Sequence, residues 1–88
     1  MDNVRRSFSE LRDIILLDLI QGQKTTNEIS HDCNINWRTV ELHLTYLRGR
    51  GLVQEVFTSK YVRIHDLTQK GREYIESKYP EKKMAVLT

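Results

Sequence analysis

Six residues in one short run, Asn36, Trp37, Arg38, Glu41, Leu42 and Thr45, bring together an amide, a planar cation, a carboxylate, a hydroxyl and two apolar groups. Advanced by about 100° per residue, positions 38, 42 and 45 share one side of a helix, with Glu41 beside them. Val40, Leu44 and Leu47 form the opposite, apolar stripe, with Trp37 at its margin. A lone domain has no evident use for a leucine exposed among polar side chains. A base edge in the DNA major groove gives it one: an apolar side chain touches a thymine methyl while an arginine fork takes guanine O6 and N7. Asn36 and Trp37, at the helix start, are placed to meet base edges or phosphates.

Two further groups suit the backbone of a nucleic acid rather than its bases. Lys24, Thr25 and Thr26 lie at the start of a preceding helix, where free amides and the helix dipole favour a phosphate. Thr58, Ser59, Lys60 and Tyr61 sit at the tip of an expected hairpin, with Arg63 on the strand behind them, within reach of flanking phosphates or the minor groove. Contacts of that kind position a protein without reading sequence.

Each residue has a blander use. Trp37 is either a wedge closing the turn or a DNA contact, and His43 either flanks the core or packs on a partner helix. Arg48 and Arg50 also suit a helix C-terminus, an effect worth about 0.3–1 kcal/mol. Lys60 on an exposed edge aids solubility. Arg38 alone has no competing structural role. Cys33, with His31 and Asp32 beside it, lacks the second cluster a metal site needs, so no metal is expected. A buried small hydrophobe under the turn is the favoured reading of Cys33, with an intersubunit disulfide as the other. His65–Asp66 is expected to make a local hydrogen bond.

Catalysis finds no support. The chain has no glycine-rich phosphate loop, no nucleophile spaced to a base and no isolated carboxylate pair, so neither an enzyme nor a cofactor is expected.

The elements that must position these residues are legible. "SFSE" at residues 7–10 has capping-box spacing and opens a first helix that ends near Gly22. Its centre, "IILLDLI", holds six apolar residues in seven, more than one amphipathic stripe needs. The surplus suggests a second copy of the chain, with Leu16, Ile20, Tyr74, Ile75 and Tyr79 as the expected dimer interface. "TTNE" repeats the capping signal, Asn34 suits a left-handed residue, and Asn36 caps a third helix, about 37–49, that stops at Gly51. The period then changes to two: "LVQEVF" and "YVRIHDL", joined by "TSK", read as a hairpin. A last helix follows a Thr68 cap. The expected fold is mainly α with a small β-hairpin wing, in the order three helices, hairpin, helix, over residues 1–79, with a tail at 80–88.

"TTNEISHDCNINWRTVELHLTYLRGRGLV" resembles the core of the MarR, ArsR and PadR types of winged helix-turn-helix transcription regulator, and "LTQKG" resembles the "LT..G" that opens their helix after the wing. The resemblance covers roughly residues 7–78 and is loosest, on size, to the small regulators of archaea and their viruses. It implies a homodimer on double-stranded DNA, with the helix at 37–49 in the major groove and the wing at 57–61 on the flanks. The metal-binding cysteines of the ArsR type have no counterpart here.

Charge agrees with that placement. Residues 1–35 hold four basic and six acidic side chains, residues 36–72 seven basic and three acidic, and residues 73–88 three of each. The basic excess is therefore confined to the stretch that would face a polyanion. No apolar run reaches about 18 residues and the N-terminus lacks a signal-like core, so neither a membrane span nor secretion is expected. One cysteine excludes an intrachain disulfide, which suits a cytoplasmic chain. The rival readings are a non-specific architectural DNA coater and a winged helix that binds protein through Trp37 and Leu42. No small-molecule effector is indicated.

Overall fold

The computed structural model of the chain describes residues 7–81. Expectations for the first six residues and for most of the tail at 80–88 lie outside them. The order is α1 (Phe8–Leu19), β1 (Lys24–Thr25), α2 (Thr26–Cys33), α3 (Trp37–Gly49), β2 (Val53–Thr58), β3 (Arg63–Leu67) and α4 (Gln69–Lys78). The mainly α fold with a hairpin wing forms as expected, with one strand, β1, that the sequence did not announce.

Both capping boxes close. Ser7 Oγ accepts from Glu10 N at 3.1 Å while Glu10 Oε1 accepts from Ser7 N at 2.8 Å. Thr25 and Glu28 repeat the exchange at 3.1 and 2.8 Å. The helix-turn-helix is set by two left-handed residues. Asn34 (φ 55°, ψ 47°) ends α2, and the chain doubles back so that Ile35 N reaches Ser30 O at 3.1 Å. Asn36 Oδ1 then accepts from Arg38 N at 2.8 Å to start α3. Gly51 (φ 77°) ends α3 in the same way, with Gly51 N on Arg48 O and Leu52 N on Leu47 O, each at 3.0 Å.

α1 runs through the middle of the molecule and touches α2, α3, α4 and β3. That contact overturns part of the expected dimer interface. Leu16 and Ile75 have no exposed surface and Ile20 only 6%, because all three belong to the domain's own core. The apolar surplus of α1 is absorbed by a helix packed on several sides, and of the apolar residues in "IILLDLI" only Ile14 and Leu17 remain partly exposed. Of the expected interface, Tyr74 is exposed and Tyr79 half-buried, its hydroxyl donating to Asp13 Oδ2 at 3.0 Å. Cys33 joins the core, with its thiol 3.9 Å from Ile14 O.

The sheet order is β1-β3-β2, antiparallel throughout. Pairing shifts between Glu55 and Phe57, so Val56 is an extra, bulged residue on the outer strand. β1 fastens the start of α2 to the root of the wing, pairing Lys24 with His65 and Thr25 with Ile64. α4 docks through Gly71. A Cβ there would lie 1.9 Å from Leu52 O, so only glycine permits the approach. Thr68 seals the joint, its hydroxyl donating to Gly51 O at 2.6 Å and its amide to Leu52 O at 3.1 Å. The "LTQKG" run is thus a docking device as well as a helix start.

Candidate nucleic-acid interface

The start of α2, the outer face of α3 and the wing enclose one open groove of about 430 Å³. Its walls hold Thr25, Trp37, Glu41, Lys60, Tyr61 and Arg63, so residues up to 38 positions apart in sequence meet there. Arg38, Leu42 and Thr45 occupy the exposed side of α3. Leu42 is 61% exposed and Trp37 50%, so the tryptophan is not a buried wedge. Among the described residues no carboxylate pairs with the Arg38 guanidinium. Thr45 is less available: its hydroxyl donates to Glu41 O at 3.0 Å and accepts from Arg48 Nη2 at 3.4 Å.

Glu41 is engaged by the wing. Arg63 Nη1 lies 2.9 Å from Glu41 Oε1 and 3.9 Å from Glu55 Oε2, and Arg48 Nη1 lies 3.3 Å from the same Glu55 oxygen. Two arginines and two carboxylates therefore bridge α3, β2 and β3. Glu41 positions a wing cation here rather than orienting Arg38, and Arg48 serves this bridge rather than the helix terminus. No local pattern announces the pairing, because strand register decides which strand residue faces position 41.

Two expected phosphate contacts are corrected. The Lys24 ammonium is 15% exposed and holds Asp18 Oδ1 at 2.8 Å, Gln21 Oε1 at 2.9 Å and Asp32 Oδ2, which uses all three of its donors. Burial opposes that charge, but the bonds from Asp18 and Asp32 outweigh it and raise the Lys24 pKa. Thr26 is buried, with its hydroxyl 2.8 Å from His65 Nε2. Lys24 ties α1 to α2, and Thr26 ties α2 to the wing. Thr25 keeps a place on the groove wall while its hydroxyl caps α2.

The wing tip sorts its four residues in pairs. Thr58 Oγ1 donates to Glu55 Oε1 at 2.9 Å, and Ser59 Oγ accepts from Tyr61 N and Val62 N at 3.2 and 3.1 Å. Those two hydroxyls build the turn. Lys60 and Tyr61 project from it, Tyr61 with 85% of its surface exposed and the Lys60 ammonium 5.7 Å from its ring centroid. Asn27, exposed in the first turn of α2, also lines the groove and was not anticipated. Its position two residues past the Thr25 cap is the signal that could have found it.

Of His65–Asp66, the pair expected to bond locally, His65 instead meets Thr26 from α2. It is fully buried beneath the wing, and burial holds its pKa below the usual 6.5. Asp66 makes the local bond instead, Oδ1 accepting from Leu67 N at 2.8 Å. His43 flanks the core as expected. Its Nδ1 accepts from Arg12 Nε at 3.2 Å and its ring meets Phe8 edge to face, while burial and then the Arg12 charge lower its pKa.

A capped helix pair joined by a three-residue turn, followed by a β-hairpin and a docked helix, defines a winged helix-turn-helix domain. Residues 5–85 match the winged helix-turn-helix family, and the chain belongs to it. Domains of that family bind rather than catalyse. No curated protein sequence matches the chain. Among solved structures, ZitR of Lactococcus lactis (C30AH42A mutant, apo form) superposes with a TM-score of 0.74 at 19% identity, over 91% of this chain and 64% of that one. A MarR family regulator from Neisseria meningitidis gives 0.71 at 20% identity, over 85% and 54%. The Zα domain of PKZ from Carassius auratus, in complex with Z-DNA, gives 0.64 at 20% identity, over 72% and 100%. These likenesses establish the fold, and the chain spans less than two thirds of the two regulators' length. Among the described residues no helix is long and apolar enough to cross a membrane, and no group of three His, Cys, Asp or Glu could hold a metal.

Proposed function

We propose that this chain is a sequence-specific, double-stranded DNA-binding transcription regulator that acts as a homodimer. α3 enters the major groove, and the wing rests on the flanking backbone or minor groove. The observation that carries this reading is the outer face of α3: an Arg38 that no carboxylate among the described residues pairs, beside an exposed Leu42, both aimed away from a core that needs neither. That mixture suits base edges, where a bidentate fork donor discriminates by about 1–3 kcal/mol and an apolar side chain can meet a thymine methyl. A pure coating surface would show cations without a leucine.

Lys60, Tyr61 and Arg63 at the wing and Thr25 and Asn27 at the start of α2 flank α3, so they take the backbone on this reading. Dimer formation falls to the apolar surface left outside the core, the partly exposed Leu11, Ile14 and Leu17 of α1 with Tyr74 of α4.

The test is selection of bound duplexes from a random pool at physiological salt, followed by sequencing. An enriched inverted repeat is the expected result. Arg38→Ala should weaken the selected site by about 10- to 100-fold and relax preference at one base pair in each half. Binding without enrichment would replace this reading by the architectural one. No binding would turn attention to Trp37 and Leu42 as a protein-docking surface.

A further inference from the structure

On the other flank of α3, away from the wing, α1, the second half of α3 and α4 enclose a second hollow of about 320 Å³. Its floor is apolar, made by the buried Leu16, Leu47 and Leu52. Tyr46 and Tyr74 stand on its walls, and Arg12, Arg50 and Lys70 on its rim.

Those three cations are held in place by neutral groups. The Arg12 guanidinium stacks 3.5 Å from the Tyr46 ring centroid while its Nε donates to His43 Nδ1. Arg50 Nη1 donates to Tyr46 OH at 2.7 Å, and Lys70 Nζ to Arg50 O at 3.1 Å. Among the described residues no carboxylate forms an ion pair with any of them. The single carboxylate at the hollow, Asp13, is neutralised from outside by Lys78 Nζ at 2.8 Å and by the Tyr79 hydroxyl. Elsewhere the domain pairs its half-buried cations, Lys24 with Asp18 and Asp32, Arg48 with Glu55 and Arg72 with Glu76, and also the more exposed Arg63 with Glu41 and Glu55. The half-buried Arg12 and the exposed Arg50 and Lys70 are thus oriented by neutral groups and left uncompensated, among the described residues, above an apolar floor.

The geometry points to a binding site for a small organic anion, one with a carboxylate or phosphate head for Arg12, Arg50 and Lys70 and a flat apolar body for the floor and the tyrosines. The volume lies at the small end of ligand sites, and an apolar floor with a few convergent polar groups is their usual make-up. A phosphodiester backbone has no use for that floor, whereas an aromatic or heterocyclic anion does. None of the site's residues belongs to the groove on the wing side, although Tyr74 is shared with the dimer surface proposed above. It still touches the same helix: Tyr46, Leu47 and Arg50 continue α3 beyond Leu42 and Thr45.

The test is titration of the full chain with phenyl phosphate, and separately with inorganic phosphate, followed through backbone amide NMR shifts. Phenyl phosphate should give saturable shifts in the millimolar range or tighter at Tyr46, Leu47, Leu52 and Tyr74, with inorganic phosphate about tenfold weaker. Arg50→Gln should weaken phenyl phosphate by about tenfold through loss of a charge-assisted contact. Lys70→Gln, at an exposed position, gives the same reading if Arg50→Gln fails to fold. Shifts that do not saturate, that fall elsewhere, or that persist undiminished in both variants would overturn the site. So would a duplex oligonucleotide that displaces phenyl phosphate and shifts the same amides, which would make the cluster a clamp on the DNA backbone.

Discussion

Arg63 meets Glu41 at 2.9 Å before any nucleic acid is present. On the proposed reading, a wing arginine committed to α3 reaches a phosphate only by exchanging one partner for another, so Glu41 should lower affinity while fixing where the wing stands. Glu41→Gln should therefore raise DNA affinity by a few-fold and steepen the salt dependence by about one unit, as one more cation is freed to displace counterions. Fluorescence anisotropy across a salt series reads both effects, and an unchanged slope would show that Arg63 never leaves its carboxylates. Single residues were also where the sequence was least legible. Arg38 and Leu42 could be placed from helical spacing, because the 3.6-residue period alone decides which side they face. Lys24 and Thr26 could not, because their partners, Asp18, Asp32 and His65, arrive from other elements through packing that no local pattern encodes.

Elements were read better than residues, since caps and stops are local chemistry. Ser7–Glu10, Thr25–Glu28, Asn34, Asn36, Gly51 and Thr68 all act where their types suggested. β1 escaped because two residues carry no period, and only the β3 edge makes them a strand. α1 misled because its apolar excess is equally consistent with a second copy and with a helix wrapped by its own domain. The joint between α4 and the root of β2 gives a sharp prediction. Gly71→Ala drives a methyl onto the Leu52 carbonyl, so it should cost about 1–3 kcal/mol in urea denaturation, where an ordinary helical Gly→Ala change would stabilise. The joint between α2 and the wing gives another. His65 and His43 are buried, and both pKa values lie below the ordinary 6.5. The unfolded chain then takes up protons first as pH falls. Stability should be level above about pH 6.5 and decline below it, by no more than about 1.4 kcal/mol per pH unit for each histidine. His65→Gln should flatten that decline in melts compared at about pH 7.5 and 5.5.

At the scale of the whole molecule, the described residues span 37 × 34 × 24 Å, close to the length of one turn of B-DNA. Two such domains side by side about a twofold axis put their recognition helices about 34 Å apart, which sets the expected half-site spacing. The chain should sediment as a dimer at micromolar concentration. Leu17→Lys, on the part-exposed side of α1, should shift it toward monomer with its circular dichroism unchanged. A wild-type monomer that still selects an inverted repeat would place assembly on the DNA itself. The regional charge excess was legible at this scale, because a sum over the 37 residues from 36 to 72 survives errors of a few residues in any boundary.

The stops at Asn34 and Gly51 carry a consequence for how much information α3 can hold. They confine it to 13 residues, of which the outward set runs from Trp37 to Thr45. That set rises about 12 Å along the helix axis. At about 3.4 Å per base pair it covers three or four letters. A pair of such helices spells about seven letters, enough to single out one sequence in about 10⁴, whereas a genome offers roughly 10⁶–10⁹ competing positions. On the proposed reading the missing letters fall to the wing and to how readily the intervening DNA bends, so base pairs that no side chain touches should matter as much as some within reach of α3.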